Sequence, residues 1–205
     1  MDPHPVLHSI RDNISRLLIG KQDTVDFLLI AILSQGHALI EDVPGVGKTT
    51  LAQAFARSFD LSIQRIQFTP DVLPSDITGY NLYSVKDSQM TFIPGAIMSQ
   101  IILADEINRS SPKTQSSLLE VMEERQVTVD GVTRPVPQPF MVLATQNPIE
   151  YSGTFPLPEA QLDRFLLRVN MGYPSHAEEL AILDRHRHPP DRKSTRLNSS
   201  HGIIW

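Results

Sequence analysis

The chain of 205 residues contains no cysteine. Disulfide frameworks, zinc–thiolate centres and thiol nucleophiles are therefore all excluded. It has no excess of positive charge: 18 Lys and Arg face 23 Asp and Glu, a net charge of -5, which argues against a general nucleic-acid binder while leaving room for a local basic loop. No apolar run approaches the roughly eighteen residues of a membrane span. The segment Met1 to Arg11 lacks the basic-then-apolar order of a signal peptide. These absences lead us to expect a cytoplasmic protein with no membrane span. With 40% hydrophobic and 20% charged residues, the length suits one α/β domain with a real core.

From Asp191 the text changes character. Asp191-Arg192-Lys193-Ser194-Thr195-Arg196-Leu197-Asn198 has neither a helical nor a strand period and no apolar face. It resembles a sequencing-library adapter read as protein, so residues 191–205 are expected to be a non-native tail; a polar disordered tail is the alternative. Setting it aside removes three basic residues and one acid and moves the net charge from -5 to -7. The domain is accordingly expected to occupy residues 1–190, with the native chain continuing past Pro190.

Apolar spacing predicts helices over 6–19 and 23–34, then a short strand from His37 to Glu41 and a helix from Lys48 to about Phe59. Ile63 to Phe68 reads as a second strand. Residues 69–95 form a long polar stretch with short strands near Tyr80–Val85 and Met90–Ile93. Ile101-Ile102-Leu103-Ala104 is continuously apolar, as a strand covered on both faces should be. A helix follows with Ser111 as cap and Pro112 in its first position. The Asp130-Gly131 pair marks a hairpin, and Phe140 to Thr145 another buried strand. Ala160–Leu167 and Ala177–His186 read as further helices. Alternating strands and helices predict an α/β fold: a mainly parallel sheet between helical layers.

The strand ending at Glu41 runs into Asp42-Val43-Pro44-Gly45-Val46-Gly47-Lys48-Thr49-Thr50 and then a helix, the context a phosphate loop requires. Its glycines let successive N–H groups turn toward phosphate oxygens, and the helix N-terminus adds positive potential. Lys48 would reach the outer phosphates and the Thr49 hydroxyl would bind Mg2+. The usual pattern opens with glycine where this chain has Asp42; Gly45 and Gly47 remain, so the loop is still expected to form. The second strand of the pattern ends in Asp105-Glu106, where open α/β sheets place ligands. Asp105 would hold the metal shell and Glu106 would orient the attacking water. Asn147, at the tip of a neighbouring strand, could hydrogen-bond a terminal phosphate or that water, or could simply be a turn residue before Pro148.

Together with Asp42-Val43-Pro44-Gly45-Val46-Gly47-Lys48-Thr49 and Ala104-Asp105-Glu106-Ile107-Asn108-Arg109, the stretches Leu119-Glu120-Val121-Met122-Glu123-Glu124-Arg125-Gln126-Val127-Thr128, Ala144-Thr145-Gln146-Asn147-Pro148 and Leu157-Pro158-Glu159-Ala160-Gln161-Leu162-Asp163-Arg164-Phe165 resemble the MoxR family of AAA+ ATPases. The resemblance spans about Leu18 to Pro174. It implies a three-layer AAA+ P-loop fold, with Gly45, Val46, Gly47, Lys48, Thr49 and Thr50 around ATP and with Thr49 and Asp105 on Mg2+. Glu106, Asn147 and Arg164 would be the catalytic set, Arg164 serving as an arginine finger toward the next subunit. Gly20, in Ile19-Gly20-Lys21, would flank the base. Residues 69–95 would be the clade's helix-2 insertion and the Asp130-Gly131 hairpin its pore-side hairpin. A homo-oligomer, a hexameric ring in the full-length protein, and a von Willebrand A-domain partner are likewise implied, as is a chaperone-like role in assembling or activating protein complexes. The helical lid of the family is expected to be largely missing. Two other classes stay open: a nucleotide-dependent switch without useful turnover, and a DNA-acting relative. The acidic chain and the lysine-free hairpin tip speak against the latter.

Overall fold

The computed structural model describes residues 4–41, 47–86, 88–147 and 153–187. The expected loop residues Asp42 to Val46, Pro148 and the tail 191–205 lie outside the described residues.

Two helices, α1 (His4–Leu17) and α2 (Gln22–Leu33), precede β1 (Ala38–Glu41) and α3 (Lys48–Ser58). Then come β2 (Ile63–Gln67), a short α4 (Pro74–Thr78), the hairpin strands β3 (Gly79–Ser84) and β4 (Gln89–Pro94), and β5 (Ile101–Asp105). A 3-10 turn over Ile107–Arg109 leads into α5 (Pro112–Glu124), a second hairpin β6 (Gln126–Val129) and β7 (Val132–Pro135), then β8 (Met141–Gln146). The described chain closes with α6 (Glu159–Leu162), β9 (Leu167–Val169) and α7 (His176–Arg187).

Five strands form one all-parallel sheet in the order β2-β5-β8-β1-β9. Strand alternation divides its side chains between two cores. On one face Ala38, Ile40, Ile101, Leu103, Met141 and Leu143 pack under α1, α2 and α3, through Ile14, Leu28, Leu51 and Phe55. On the other, Leu39, Ile66, Ile102, Ala104, Val142 and Ala144 pack under Ile77 of α4 and Leu118, Leu119 and Met122 of α5. That double coverage is why β5 and β8 read as unbroken apolar runs. Each fully buried Leu or Ile contributes about 1.5–3 kcal/mol relative to exposure.

The two hairpins lie against each other. Asn81 Nδ2 donates to Asp130 Oδ2 at 2.7 Å, and the Arg134 guanidinium sits 3.9 Å above the Phe92 ring. Asp130 and Gly131 both take positive φ, 50° and 77°, as a two-residue hairpin turn of this kind demands.

Two expectations need correction. The helix anticipated over 160–167 ends at Leu162, and Leu167–Val169 is instead an edge strand paired with β1. Tertiary pairing overrides the local helical pattern here: Leu166 N–H donates to His37 O at 2.9 Å and Phe165 is buried. Within 69–95, the helical turn α4 also went unanticipated. Pro74 opens it, and Asp76 accepts from Leu73 N–H at 2.9 Å, which caps its first turn.

Candidate active site

Because the sheet is parallel, the C-terminal ends of β1, β8 and β5 lie side by side at one edge. Glu41 is in register with Gln146, and Gln146 Nε2 donates to Glu41 Oε1 at 2.5 Å. From this edge the chain leaves β1 toward the phosphate loop, β5 toward the acid pair and β8 toward Asn147. Three sequence-distant motifs are thereby gathered at one place.

Gly47 caps α3 with φ 92°, a conformation that L side chains rarely adopt, and its neighbour Lys48 is buried. Thr49 is half-buried and Thr50 is exposed. Leu18 reaches this turn from the end of α1, its Cδ2 lying 3.7 Å from where a Gly47 Cβ would stand. Gly20, two residues on, has φ 73° and lies directly under Glu178 of α7: a Cβ there would stand 1.7 Å from Glu178 Oε1. Next to it, Lys21 is buried and its Nζ donates to Met171 O at 2.5 Å and Gly172 O at 2.9 Å. The turn at Gly20-Lys21 is thus tied to the segment that follows β9. Gly45 and Val46 lie outside the described residues.

The acid pair is held by a network. Thr145, fully buried on β8, donates from Oγ1 to Asp105 Oδ1 at 2.7 Å and accepts from Glu106 N–H at 2.9 Å. The second Asp105 oxygen accepts from Arg65 at 2.7 Å. Glu106 Oε2 accepts from Gln67 Nε2 at 3.0 Å and from Arg109 Nη1 at 3.2 Å. Glu106 itself is left-handed, with φ 58° and ψ 50°. A non-glycine residue there costs backbone energy, and such strain gathers where a side chain must be aimed. Asn147 is buried beside this network, and its carbonyl accepts from Asn108 Nδ2 at 3.4 Å.

Arg164 stands apart. It precedes β9, whose Leu167 pairs with Ala38 at the start of β1, so it lies toward the opposite edge of the sheet from Glu106. Three strand residues span roughly 10 Å. There its guanidinium pairs with Glu123 of α5, at 3.0 Å from Nε and 2.8 Å from Nη2. The acids and Asn147 are brought together; Arg164 is not brought to them within one chain.

Sequence reasoning missed Arg65, Gln67 and the hydroxyl of Thr145. One signal was available: Arg65 and Gln67 stand two apart on the strand Ile63–Gln67 and therefore share one of its faces. Among the described residues no cluster of three His, Asp or Glu is arranged for a further metal. None of their helices is long and apolar enough to cross a membrane.

This strand order, with a Gly-Lys-Thr turn entering a helix after β1 and an acid pair ending β5, defines a P-loop NTPase of the AAA+ class. The sequence model described as "ATPase family associated with various cellular activities (AAA)" matches residues 37–167. Among relatives, uncharacterized protein YeaC of Bacillus subtilis is 57% identical over 182 residues, covering 89% of this chain and 57% of its own length. Chaperone MoxR1 of Mycobacterium tuberculosis is 49% identical over 172 residues, or 84% of this chain and 46% of the relative. The crystal structure of a Cytophaga hutchinsonii protein, 43% identical, superposes with a TM-score of 0.81 over 90% of this chain and 56% of that one. The chain belongs to this ATPase family, in its MoxR branch. It spans about half the length of the curated relatives it matches.

Proposed function

We propose that this chain carries the ATP-binding and ATP-hydrolysing core of a MoxR-type AAA+ subunit, which acts on partner proteins as an assembling or activating chaperone. The observation that carries the reading is the acid pair at the end of β5. Both acids hang from one buried threonine on the strand between them and the phosphate-loop strand.

In this reading the loop N–H groups of Gly45, Val46 and Gly47 and the start of α3 at Thr50 cradle the phosphates, with Lys48 as the counter-charge. The Thr49 hydroxyl and the Asp105 carboxylate are hard oxygen donors, the chemistry that suits Mg2+. When bound, the ion neutralises charge that develops on the phosphates. Glu106, its backbone fixed by Thr145 and by its left-handed conformation, orients a water for attack on the terminal phosphorus. The bond from that phosphorus to the bridging oxygen of ADP breaks, and the products are ADP and phosphate. Asn147 holds the terminal phosphate or the water. Gly20 lines the base.

Arg164 completes the site of a neighbouring copy, which makes the active unit a ring of homologous subunits. Its position toward the far edge of its own sheet supports a role between chains rather than within one. The partner class carried by the family resemblance is a von Willebrand A-domain protein, and the relative named Chaperone MoxR1 supports the chaperone reading.

The test is ATP turnover per subunit measured against protein concentration, with Glu106→Gln alongside. Turnover that rises with concentration and drops at least 100-fold in the variant, roughly 3 kcal/mol of transition-state stabilisation, supports the assembling ATPase. ATP bound without turnover at any concentration would replace it with the nucleotide-dependent switch. Equal turnover in Glu106→Gln would remove Glu106 from its role.

A further inference from the structure

β2 is one of the two edge strands of the sheet, in register with β5 so that Ile66 faces Ala104 and Gln67 faces Asp105. Ile66 packs into the core beneath α4 and α5, so its neighbours Arg65 and Gln67 project from the opposite face, the one that carries α3. α3 begins at the phosphate loop. A cation of this chain, fixed on a strand, is thereby set beside the carboxylate proposed to bind the metal. Arg65 Nη2 lies 2.7 Å from Asp105 Oδ2 and 2.6 Å from Gln67 Oε1. Asp105 is largely buried, with its side chain 13% exposed, whereas that of Arg65 is 50% exposed. The carboxylate is the fixed partner and the guanidinium the one with room to leave.

We propose that Arg65 is a resident counter-ion of Asp105 that competes with the divalent cation and must withdraw when the cation–nucleotide complex enters. The inference rests on the nucleotide reading given above. Thr145 engages one Asp105 oxygen from within the core and Arg65 the other from the solvent side, so a cation approaching through solvent meets the oxygen that Arg65 covers. The pair also neutralises a carboxylate that would otherwise be charged and largely buried before nucleotide binds. Withdrawal has a second consequence. The amide oxygen of Gln67 accepts from Arg65 while its nitrogen donates to Glu106, so Arg65 fixes which end of that amide faces the acid. Arg65 is therefore a positioning residue that sets the cation requirement of the site.

The experiment is binding of a fluorescent ADP to the full chain, at subsaturating ADP, in EDTA and across a Mg2+ titration. Arg65→Met keeps the apolar stem and removes the charge. Its half-effective Mg2+ concentration should fall about three- to tenfold, the range for a partly screened, charge-assisted pair. Arg65→Lys, which retains the charge, should stay within about twofold of the wild type by the same argument. Affinity in EDTA, where there is no cation to compete, should be alike in all three. Arg65→Gln carries the same expectation as Arg65→Met and serves if the methionine variant does not fold. An unchanged or raised Mg2+ requirement in the uncharged variants overturns the inference, as does wild-type ADP binding that ignores Mg2+. A chain that binds no ADP under any condition overturns the nucleotide reading and this inference with it.

Discussion

The two edges of the central sheet solve the same problem by opposite means. Every strand ends in backbone groups and polar side chains that the core cannot satisfy. At the C-terminal edge they are met by charge: Asp105 and Glu106 are surrounded by Arg65, Arg109, Gln67 and Thr145, several of them partly exposed. At the N-terminal ends of β1 and β8 they are met by a neutral buried ring. His37, just before β1, receives Val142 N–H on Nδ1 at 3.0 Å, so that nitrogen carries no proton, and its Nε2–H donates to Met122 O at 3.1 Å. Phe140 meets the ring edge-on, with centroids 5.6 Å apart. One edge is an arrangement of ions partly open to solvent, which the nucleotide proposed to bind there would rearrange. The surroundings of the His37 ring are closed within the fold, and nothing need enter or leave for them to be complete.

The contrast is broken most severely by removing charge from the ligand edge. If Lys48 is the counter-charge of the phosphates, as proposed, Lys48→Ala should weaken ATP binding at least 100-fold, about 3 kcal/mol, in a chain that still unfolds cooperatively. Titration calorimetry with ATP reads the first and thermal unfolding without nucleotide reads the second. Nucleotide affinity within tenfold of the wild type would contradict the assignment of the phosphate loop.

The opposite edge should respond to pH rather than to ligand. Burial holds His37 down to a pKa of about 4 from 6.5, helped by nearby Arg125 and opposed by its bond to Met122. The unfolded chain binds the extra proton first, so between pH 6.5 and 4 stability rises with pH. The full contribution, about 3 kcal/mol, is present above pH 6.5 and lost as pH falls toward 4. From pH 7.5 to 5, the loss from this group should be about 2 kcal/mol by the same relation. His37→Leu should be less stable at pH 7.5, because Val142 N–H loses its acceptor, but should lack this component of the slope. Urea unfolding of both chains at the two pH values measures the difference. Parallel slopes would mean that His37 is not held neutral by the fold.

How much of this was legible in the sequence follows the same division. Motifs fixed by local chain geometry could be read: the Gly-Lys-Thr turn, the acids closing an apolar strand and the Asp-Gly hairpin each stand in consecutive residues. The parallel sheet followed from alternating elements. What could not be read depends on register between distant strands. Arg65 reaches Asp105 only because β2 pairs with β5 in one register, and Thr145 joins two acids about forty positions earlier. β9 was hidden for a related reason, since Leu167 to Val169 is too short to show a strand period and is extended only by pairing with β1. Lys21 was seen as part of a base-flanking turn, but its bonds to Met171 and Gly172 cross 150 and 151 residues of chain.

Thr145 sharpens the comparison, because it is fully buried while Asp105, Glu106, Arg65 and Gln67, which share its network, are not. Thr145→Val keeps the shape, removes the donor to Asp105 and leaves Glu106 N–H without its acceptor. It should cost about 1–3 kcal/mol of stability. Turnover should fall further than ATP affinity, since the acids move while the phosphate loop stays. Thr145→Ser restores the hydroxyl and should restore most of both. A valine variant with unaltered turnover would show that the acids need no such support.

The smallest effect is expected from releasing Arg164 from Glu123 by a change at Glu123 alone. Its pair with Glu123 is partly exposed, the side chains 35% and 60% accessible, and such pairs contribute about 0–1 kcal/mol. Glu123→Gln should therefore leave the unfolding midpoint nearly unchanged. If Arg164 serves a neighbouring copy, it must leave Glu123 to do so, and freeing it should ease assembly. Glu123→Gln should then shift the rise of turnover to lower protein concentration by up to about fivefold, the same energy expressed as an equilibrium. Arg164→Ala should abolish the concentration-dependent turnover while leaving ATP affinity in dilute protein as it was. A loss of ATP affinity in the isolated chain would place Arg164 in its own site, and the 2.8 Å contact with Glu123 would then have to break within a single subunit.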